Sequence, residues 1–148
     1  MTQGALDAFL AEYGFDPGDL NAPHEHGLTP LMRAALLGRA DLVRQLLSSG
    51  VDRQARNLDG NNALWLGCVS NQAEIVNGLL DAGVDINNQN DTGATTLMYA
   101  ASSGKDDMVA LLRARGADAY IVNQDGSKAV EMAATMGSLR LLRHSADR

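Results

Sequence analysis

A fixed interval between glycines constrains this chain more than any other feature of its sequence. Three sets of residues recur at a step of 33 positions. They are Gly27, Gly60, Gly93 and Gly126; then Gly50, Gly83 and Gly116; then Gly38, Gly104 and Gly137, with Asn71 in the gap. A constant step of this size is typical of solenoids, in which each unit packs only on its neighbours. Solenoids are usually binding surfaces, so the period predicts a protein that binds another molecule.

The unit at 27–59 predicts a pair of helices. Thr29 is a suitable N-cap, and Pro30 falls at the first helical position, where its missing N–H costs nothing. Gly38 ends this inner helix, and Gly50 ends an outer helix that begins at Asp41. The next two units repeat the pattern, and each of the three units leads to a turn. The predicted inner helices are 31–37, 63–69 and 96–101, the outer helices 41–47, 74–80 and 107–112, and the turns 57–60, 90–93 and 123–126.

This pattern resembles the ankyrin repeat. The resemblance rests on the segment Gly-Leu-Thr-Pro-Leu-Met-Arg-Ala-Ala-Leu-Leu-Gly at 27–38 and on Gly-Val-Asp-Ile-Asn at 83–87. It implies an all-α fold, a solenoid of stacked helix pairs with projecting β-turn fingers. The implied organisation is an N-terminal capping helix and half repeat at 1–26, repeats at 27–59, 60–92 and 93–125, and a C-terminal capping repeat at 126–148.

The chain departs from the family pattern at one helix position and at both ends. Met32, Trp65 and Met98 stand where the family has a histidine that links repeats by hydrogen bonds. We therefore expect apolar contacts there, with Trp65 in the core. The N-terminal cap is predicted as a helix at 5–13. The C-terminal cap is predicted as an inner helix at 129–136, followed by a short basic helix at 138–143.

The resemblance also implies a site. In such arrays the fingers and inner helices line a concave face that binds a protein partner. The candidate partner-binding residues are Arg33, Leu36, Leu37, Arg56, Leu58, Leu66, Val69, Gln89, Asp91, Tyr99, Val122 and Gln124. The apolar members are expected to be partly exposed, with polar residues around them, as at a protein interface. Packing against the neighbouring unit is the alternative for each leucine.

Charge and hydropathy exclude some classes of partner. The net charge of −6 argues against non-specific binding to nucleic acid, which needs clustered lysine and arginine. The charge is uneven, because 1–26 holds five acidic residues and no basic one, whereas 27–59 holds five arginines. No apolar run approaches the roughly 20 residues of a membrane span. We expect a cytoplasmic monomer that contacts no membrane.

Residues that could carry chemistry are few. His24, Glu25 and His26 form the one metal-like cluster, in a segment expected to be extended, but no third or fourth ligand is spaced to complete it. A solvated loop is the competing interpretation. Cys68 is the single cysteine, and its place among small helix residues predicts a buried, inert thiol. We expect no catalytic residue, no metal and no cofactor.

Four hypotheses for function remain open at this point. The first is a non-catalytic module that binds a partner protein on its concave face. The second is a dedicated inhibitor, immunity or accessory protein of one enzyme, which suits a small array without a second domain. The third is a metal-binding or enzymatic protein built on His24 and His26. The fourth, a redesigned array without a natural partner, is disfavoured because design would restore the consensus motif in every unit.

Overall fold

A computed structural model describes residues 2–146, and within that range all regular structure is helical, as predicted. The α-helices are α1 (Thr2–Glu12), α2 (Pro30–Leu36), α3 (Ala40–Ser48), α4 (Ala63–Val69), α5 (Ala73–Asp81), α6 (Thr96–Ser102), α7 (Asp106–Ala114) and α8 (Met136–Ala146). Short 3-10 turns span Glu25–Gly27 and Ala129–Met132. The chain divides into two compact units, Met1–Asp85 (unit 1) and Ile86–Arg148 (unit 2). No helix in the described range is long and apolar enough to cross a bilayer.

Unit 1 consists of two layers of helices. The inner helices α2 and α4 pack on each other, and each packs on its own outer helix, α3 or α5. Helix α1 packs on α3 and therefore belongs to the outer layer. The large side chains with almost no solvent exposure are Leu31, Met32, Leu42, Leu46, Leu64, Ile75 and Leu79. Small residues let the inner helices approach closely, and Cys68 among them is fully buried, as expected.

Unit 2 begins in the same way, with α6 packed on α7. Its core includes Leu97, Met98, Val109, Leu112 and Leu142.

The N-caps of the inner helices α2, α4 and α6 explain why all three start where the sequence predicts. Thr29, Asn62 and Thr95 each accept a hydrogen bond from the backbone N–H three residues later, which satisfies a donor that the helix leaves free.

The sequence predicts apolar contacts at the position of the family's histidine, and two of the three residues there are buried in this way. Met32 and Met98 are buried at 1% exposure each, so apolar contacts occupy these places in the two units. Trp65 is only half-buried, so it lies at the edge of the core rather than inside it. Polar links between repeats come instead from loop side chains. Asn21 accepts a hydrogen bond from the Asp52 N–H, Gln54 accepts one from Asp85, and Asn87 accepts one from Asp118.

The C-terminal cap differs from the predicted one. The expected inner helix at 129–136 is reduced to the 3-10 turn Ala129–Met132, and Ala133 is extended. The N–H of Ala134 donates to the carbonyl of Ala101 in α6, at 2.9 Å, which draws this segment out of a helix. Helix α8 then starts at Met136 and has 11 residues, so it is not the short helix expected at 138–143.

A cluster of three polar residues, the Asp106 cluster, holds the start of α8. The hydroxyls of Thr135 and Ser138 donate to Asp106 Oδ1 at 2.5 and 2.6 Å, and Ser138 is fully buried. Thr135 also caps α8, because its Oγ1 accepts from the Ser138 N–H at 3.0 Å. These hydrogen bonds, from Ser138 first and then Thr135, hold the pKa of Asp106 below its usual value.

The recurring glycines have a left-handed backbone at every position of the period except Gly137. Gly38, Asn71 and Gly104 end inner helices with φ angles of 73°, 61° and 69°, the left-handed geometry that glycine and asparagine tolerate. Gly137 continues the same step but lies inside α8 and has no positive φ. A Cβ at Gly137 would overlap the carboxylate of Asp106, so a lack of space requires this glycine.

Candidate partner-binding surface

The fingers are tight turns, each organised by an asparagine at its first position. Asn57, Asn90 and Asn123 each accept, through Oδ1, the backbone N–H groups two and four residues later, at 2.9 to 3.0 Å. In each turn the fourth residue is a glycine with positive φ, and its N–H donates to the asparagine carbonyl. Sequence reasoning noted these turns without assigning the asparagines a role. Their recurrence at the 33-residue step is the signal that identifies them.

Neighbouring fingers within a unit are hydrogen-bonded to each other. In unit 1 the Leu58 N–H donates to the His26 carbonyl at 3.3 Å. In unit 2 the Gln124 N–H donates to the Thr92 carbonyl at 3.0 Å, and the Gln124 side chain donates to the Asp91 carbonyl at 2.7 Å. The Gln89 side chain donates to the Val122 carbonyl at 3.1 Å. Gln89 and Gln124, both candidate partner-binding residues, therefore also brace the fingers.

In unit 1, seven of the candidates lie on or directly beside α2, α4 and the finger at 57–60. Leu58 is 74% exposed and Leu37 is 42% exposed, as expected for contact residues. Arg56 is exposed, whereas Arg33, Leu36 and Val69 are half-buried. Leu66 is buried at 6% exposure, which corrects the expectation that it would be partly exposed. Its helix α4 packs on both α2 and α5, so Leu66 contributes to the core.

In unit 2, the other five lie on or directly beside α6 and the fingers at 90–93 and 123–126. Val122 is 46% exposed, and Gln89, Asp91 and Gln124 are also exposed. Tyr99 is half-buried. We use the name finger face for the surface that the fingers and inner helices form within each unit. Whether these residues contact a partner stays a prediction.

Four of the five arginines in 27–59 have hydrogen-bond acceptors within unit 1. Arg39 binds Asp41 through two hydrogen bonds, and Arg44 pairs with Glu74. Arg53 donates to the carbonyls of Val51 and Leu47, and Arg56 donates to that of Gly60. The hydrogen bonds from Arg39 hold the pKa of Asp41 below its usual value.

Arg33 is the exception. Its guanidinium lies over the ring of Tyr13, 5.2 Å from the ring centroid, in a cation–π contact. Its Nε is buried without a hydrogen-bond partner among the residues that the structure describes. An unsatisfied buried donor is costly, because it has lost water and gained no acceptor. Arg33 is therefore the one arginine of this group for which the described residues supply no hydrogen-bond acceptor.

A groove of about 380 Å³ lies beside the exposed Leu37 in unit 1. Apolar and charged side chains both line it, namely Ala5, Ala8, Phe9, Glu12, Tyr13, Leu37 and Arg39. We call it the N-terminal groove. The sequence left open whether the N-terminal helix is only a cap or also a contact, and it did not indicate this groove. The available signal was the concentration of aromatic residues, since Phe9, Tyr13 and Phe15 all fall within seven positions.

The segment His24–His26 is a solvent-exposed turn, as the solvated-loop interpretation expects, and it does not have the extended backbone considered for a metal site. Glu25–Gly27 forms a 3-10 turn in which His26 has a φ of 61°. The ring of His24 packs edge-on against Phe15, with centroids 6.1 Å apart, and its Nε2 is 3.9 Å from Glu25 Oε1. Among the side chains that the structure describes, no three of His, Cys, Asp or Glu lie close enough to hold a metal ion together.

Comparison with known proteins agrees with the helix pairs and fingers described above. A family model described as ankyrin repeats in three copies matches residues 2–90, which is more than half of the chain. A second model, described as ankyrin repeats in many copies, matches residues 79–133. No curated protein matches the chain.

Proposed function

Because this chain belongs to the ankyrin repeat family, we propose that it is a non-catalytic module that binds a partner protein on its finger face. Ankyrin repeats are generally modules for protein–protein interaction. The observation that carries the proposal for this chain is Leu58, a large apolar side chain that is 74% exposed at the end of a finger. An apolar residue held in solvent on a well-ordered turn suits an interface better than it suits a free surface.

The finger presents Leu58 in a preorganised position. The backbone of Leu58 is hydrogen-bonded to His26, and the turn around it is held by Asn57. A Cβ on Gly27 would lie 2.9 Å from both Leu58 Cγ and Leu58 N, so the glycine provides the room for this side chain. Fixing the position before binding reduces the entropy that a contact costs.

Polar groups surround this apolar contact. Arg56 and Asp59 are exposed beside Leu58 on the same finger. In unit 2 the exposed Val122 has Gln124 and Asp125 close to it in the chain. An apolar centre with a polar rim is the arrangement found at protein interfaces, where arginine is enriched at positions of high binding energy.

Affinity capture from a lysate of the source cells, followed by mass spectrometry, tests this proposal. The baits are the wild type, a Leu58→Asp/Arg56→Ala variant and a Met136→Asp control. Met136 in α8 is 61% exposed and lies outside the finger face, so the control matches Leu58→Asp in chemistry. We expect the control to retain a protein that the double variant loses, with a difference of about tenfold or more.

The helical circular dichroism spectrum and the melting temperature of both variants should stay close to those of the wild type, because the substituted side chains are exposed. A captured protein that the double variant retains as well as the wild type does would contradict binding at the unit 1 finger.

A further inference from the structure

The exposed side of helix α8 carries one large apolar side chain and two positive charges. Met136, Arg140 and Arg143 are all exposed, and their spacing of four and then three residues places them in one stripe along the helix. Neither arginine has a hydrogen-bond or ion-pair partner among the residues that the structure describes. Helix α8 contains no acidic residue. This stripe, the α8 stripe, is therefore apolar at its start and cationic along the rest.

The N-terminal groove in unit 1 offers apolar surface of its own. Leu37, the C-cap residue of α2, is 42% exposed at the groove. Ala5 and Ala8 of α1 also line it, and Ala8 is exposed. The volume of about 380 Å³ is enough for a large side chain, and methionine adapts its shape to irregular spaces of this kind.

The charges at the groove are negative on balance. Arg39 is bound to Asp41 through two hydrogen bonds, of 3.0 and 2.9 Å, and Glu12 adds a second negative charge near the same guanidinium. Glu12 is exposed and has no hydrogen-bond donor or ion-pair partner among the described residues. The surrounding segment strengthens this field, because 1–26 holds five acidic residues and no basic one. A cation brought to the groove would therefore be attracted to Glu12.

The groove and the α8 stripe also share a spacing. On α1, Ala8 precedes Glu12 by four residues, so apolar lining and carboxylate lie about one helical turn apart. On α8, Met136 precedes Arg140 by the same four residues. When the two helices lie side by side in the same direction, a methionine that enters the groove beside Ala8 brings the next guanidinium of the stripe level with Glu12.

We propose that the N-terminal groove receives α8 of a second copy of this chain. Met136 of the second copy packs against Leu37 and Ala8, and Arg140 donates hydrogen bonds to Glu12, so the two surfaces are complementary in charge. Because the groove and α8 are different surfaces, each copy keeps one of them for a further copy, and the association is head-to-tail. The sequence predicts a monomer, and the proposal departs from that expectation because the structure reveals two complementary surfaces.

Sedimentation velocity of the full chain at low salt tests the proposal. We expect the weight-average mass to rise above that of one chain as the protein concentration increases from about 10 µM to about 1 mM. The mass should fall back toward that of one chain in about 0.5 M NaCl, because salt screens the attraction between exposed charges.

Variants on both surfaces should weaken this association. We expect the apparent Kd to rise about tenfold or more in Glu12→Lys, Leu37→Asp, Met136→Asp and Arg140→Glu/Arg143→Glu. Asp59→Lys is the matched control, because it makes the same change of charge as Glu12→Lys on an exposed finger residue of the same unit, and it should associate like the wild type. The helical circular dichroism spectrum of every variant should match that of the wild type, because the substituted side chains are exposed.

A mixture of Glu12→Lys and Arg140→Glu/Arg143→Glu gives the sharpest result. Each variant keeps the surface that the other has lost, so α8 of the first can dock in the groove of the second. With one variant fluorescently labelled, we expect the mixture to associate with about the Kd of the wild type, although neither variant does so alone. A non-specific attraction between chains would not produce this recovery.

Three results would overturn the inference. They are a mass that stays at that of one chain over the whole concentration range, association that the charge reversals do not weaken, and a mixture that associates no better than its components. Association lost in Leu58→Asp/Arg56→Ala but kept in Met136→Asp would place the contact between copies on the finger face and would also contradict it. The proposed function is tested separately, because Met136→Asp should lose the second copy and still retain the finger-face partner.

Discussion

The two ends of the chain close their units by different means. At the N-terminus, α1 is held by aromatic and aliphatic burial around Phe9, and it leaves an open groove. At the C-terminus, α8 is held at its start by the hydrogen bonds of the Asp106 cluster, which leave no room for even a methyl group at Gly137. The comparison shows that apolar packing holds one end and leaves a groove beside it, whereas buried hydrogen bonds hold the other end and fill the space around Gly137.

The largest expected effect is at the apolar end. Phe9 is 4% exposed and packs on the rings of Tyr13 and Phe15, with centroids 5.4 and 5.8 Å away. We expect Phe9→Ala to lower the free energy of unfolding by about 3–5 kcal/mol, because it removes buried apolar area and leaves a cavity. Urea unfolding followed by circular dichroism measures the change.

Phe9→Leu is the control for that variant, and it should cost clearly less because most of the volume is kept. A loss below about 1 kcal/mol for Phe9→Ala would show that α1 does not depend on aromatic burial.

Glycine-to-alanine substitutions at the two ends should change the free energy of unfolding in opposite directions. In an ordinary helix position this change stabilises by up to about 1 kcal/mol. Gly4 in α1 has nothing within 4 Å of the position of a Cβ, so Gly4→Ala should follow this rule. Gly137→Ala should instead destabilise by about 1–3 kcal/mol, because the added methyl group displaces the Asp106 carboxylate from its partners.

Chemical denaturation of the two alanine variants measures the contrast. If Gly4→Ala and Gly137→Ala both raised the free energy of unfolding, the packing around Asp106 would be looser than the structure indicates.

The smallest expected effect concerns pH. The pKa of Asp106 is lowered by hydrogen bonds from Ser138 and Thr135, so its folded value lies below its unfolded value, which is near 3.8. Its contribution to stability is therefore present above the unfolded pKa and is lost as the pH falls through the folded pKa. We expect Asp106→Asn to be less stable than the wild type at neutral pH, with the difference shrinking below pH of about 4.

Melting temperatures of the wild type and Asp106→Asn, measured from pH 7 to pH 3, test this expectation. A gap between wild type and Asp106→Asn that widens on acidification would contradict the role assigned to the carboxylate.

Much of the fold could be predicted because the features that specify it are local. Thr29, Asn62 and Thr95 cap helices through their own side chains, and glycine ends them through its backbone. The prediction was wrong where a residue kept the spacing but met a different neighbour. Gly137 continues the glycine step, yet Asp106, which stands where the earlier repeats have alanine, changes its role.

The candidate site could be predicted less well. The exposure of Leu58 and Val122 followed from their place on fingers, where few other residues are near. Leu66 was misjudged because its burial depends on how α4 meets two other helices. The contact between Arg33 and Tyr13 joins residues that are 20 positions apart, and no local pattern indicates it.

The sequence by itself determined the family, the helix pairs and the fingers, because caps, glycine turns and apolar stripes act over a few residues and repeat along the chain. Only the tertiary structure decided which arginine lacks an acceptor, where a groove remains open, and why the last glycine is required. Those properties depend on which side chains from distant segments occupy the same space, and spacing along the chain does not encode that directly.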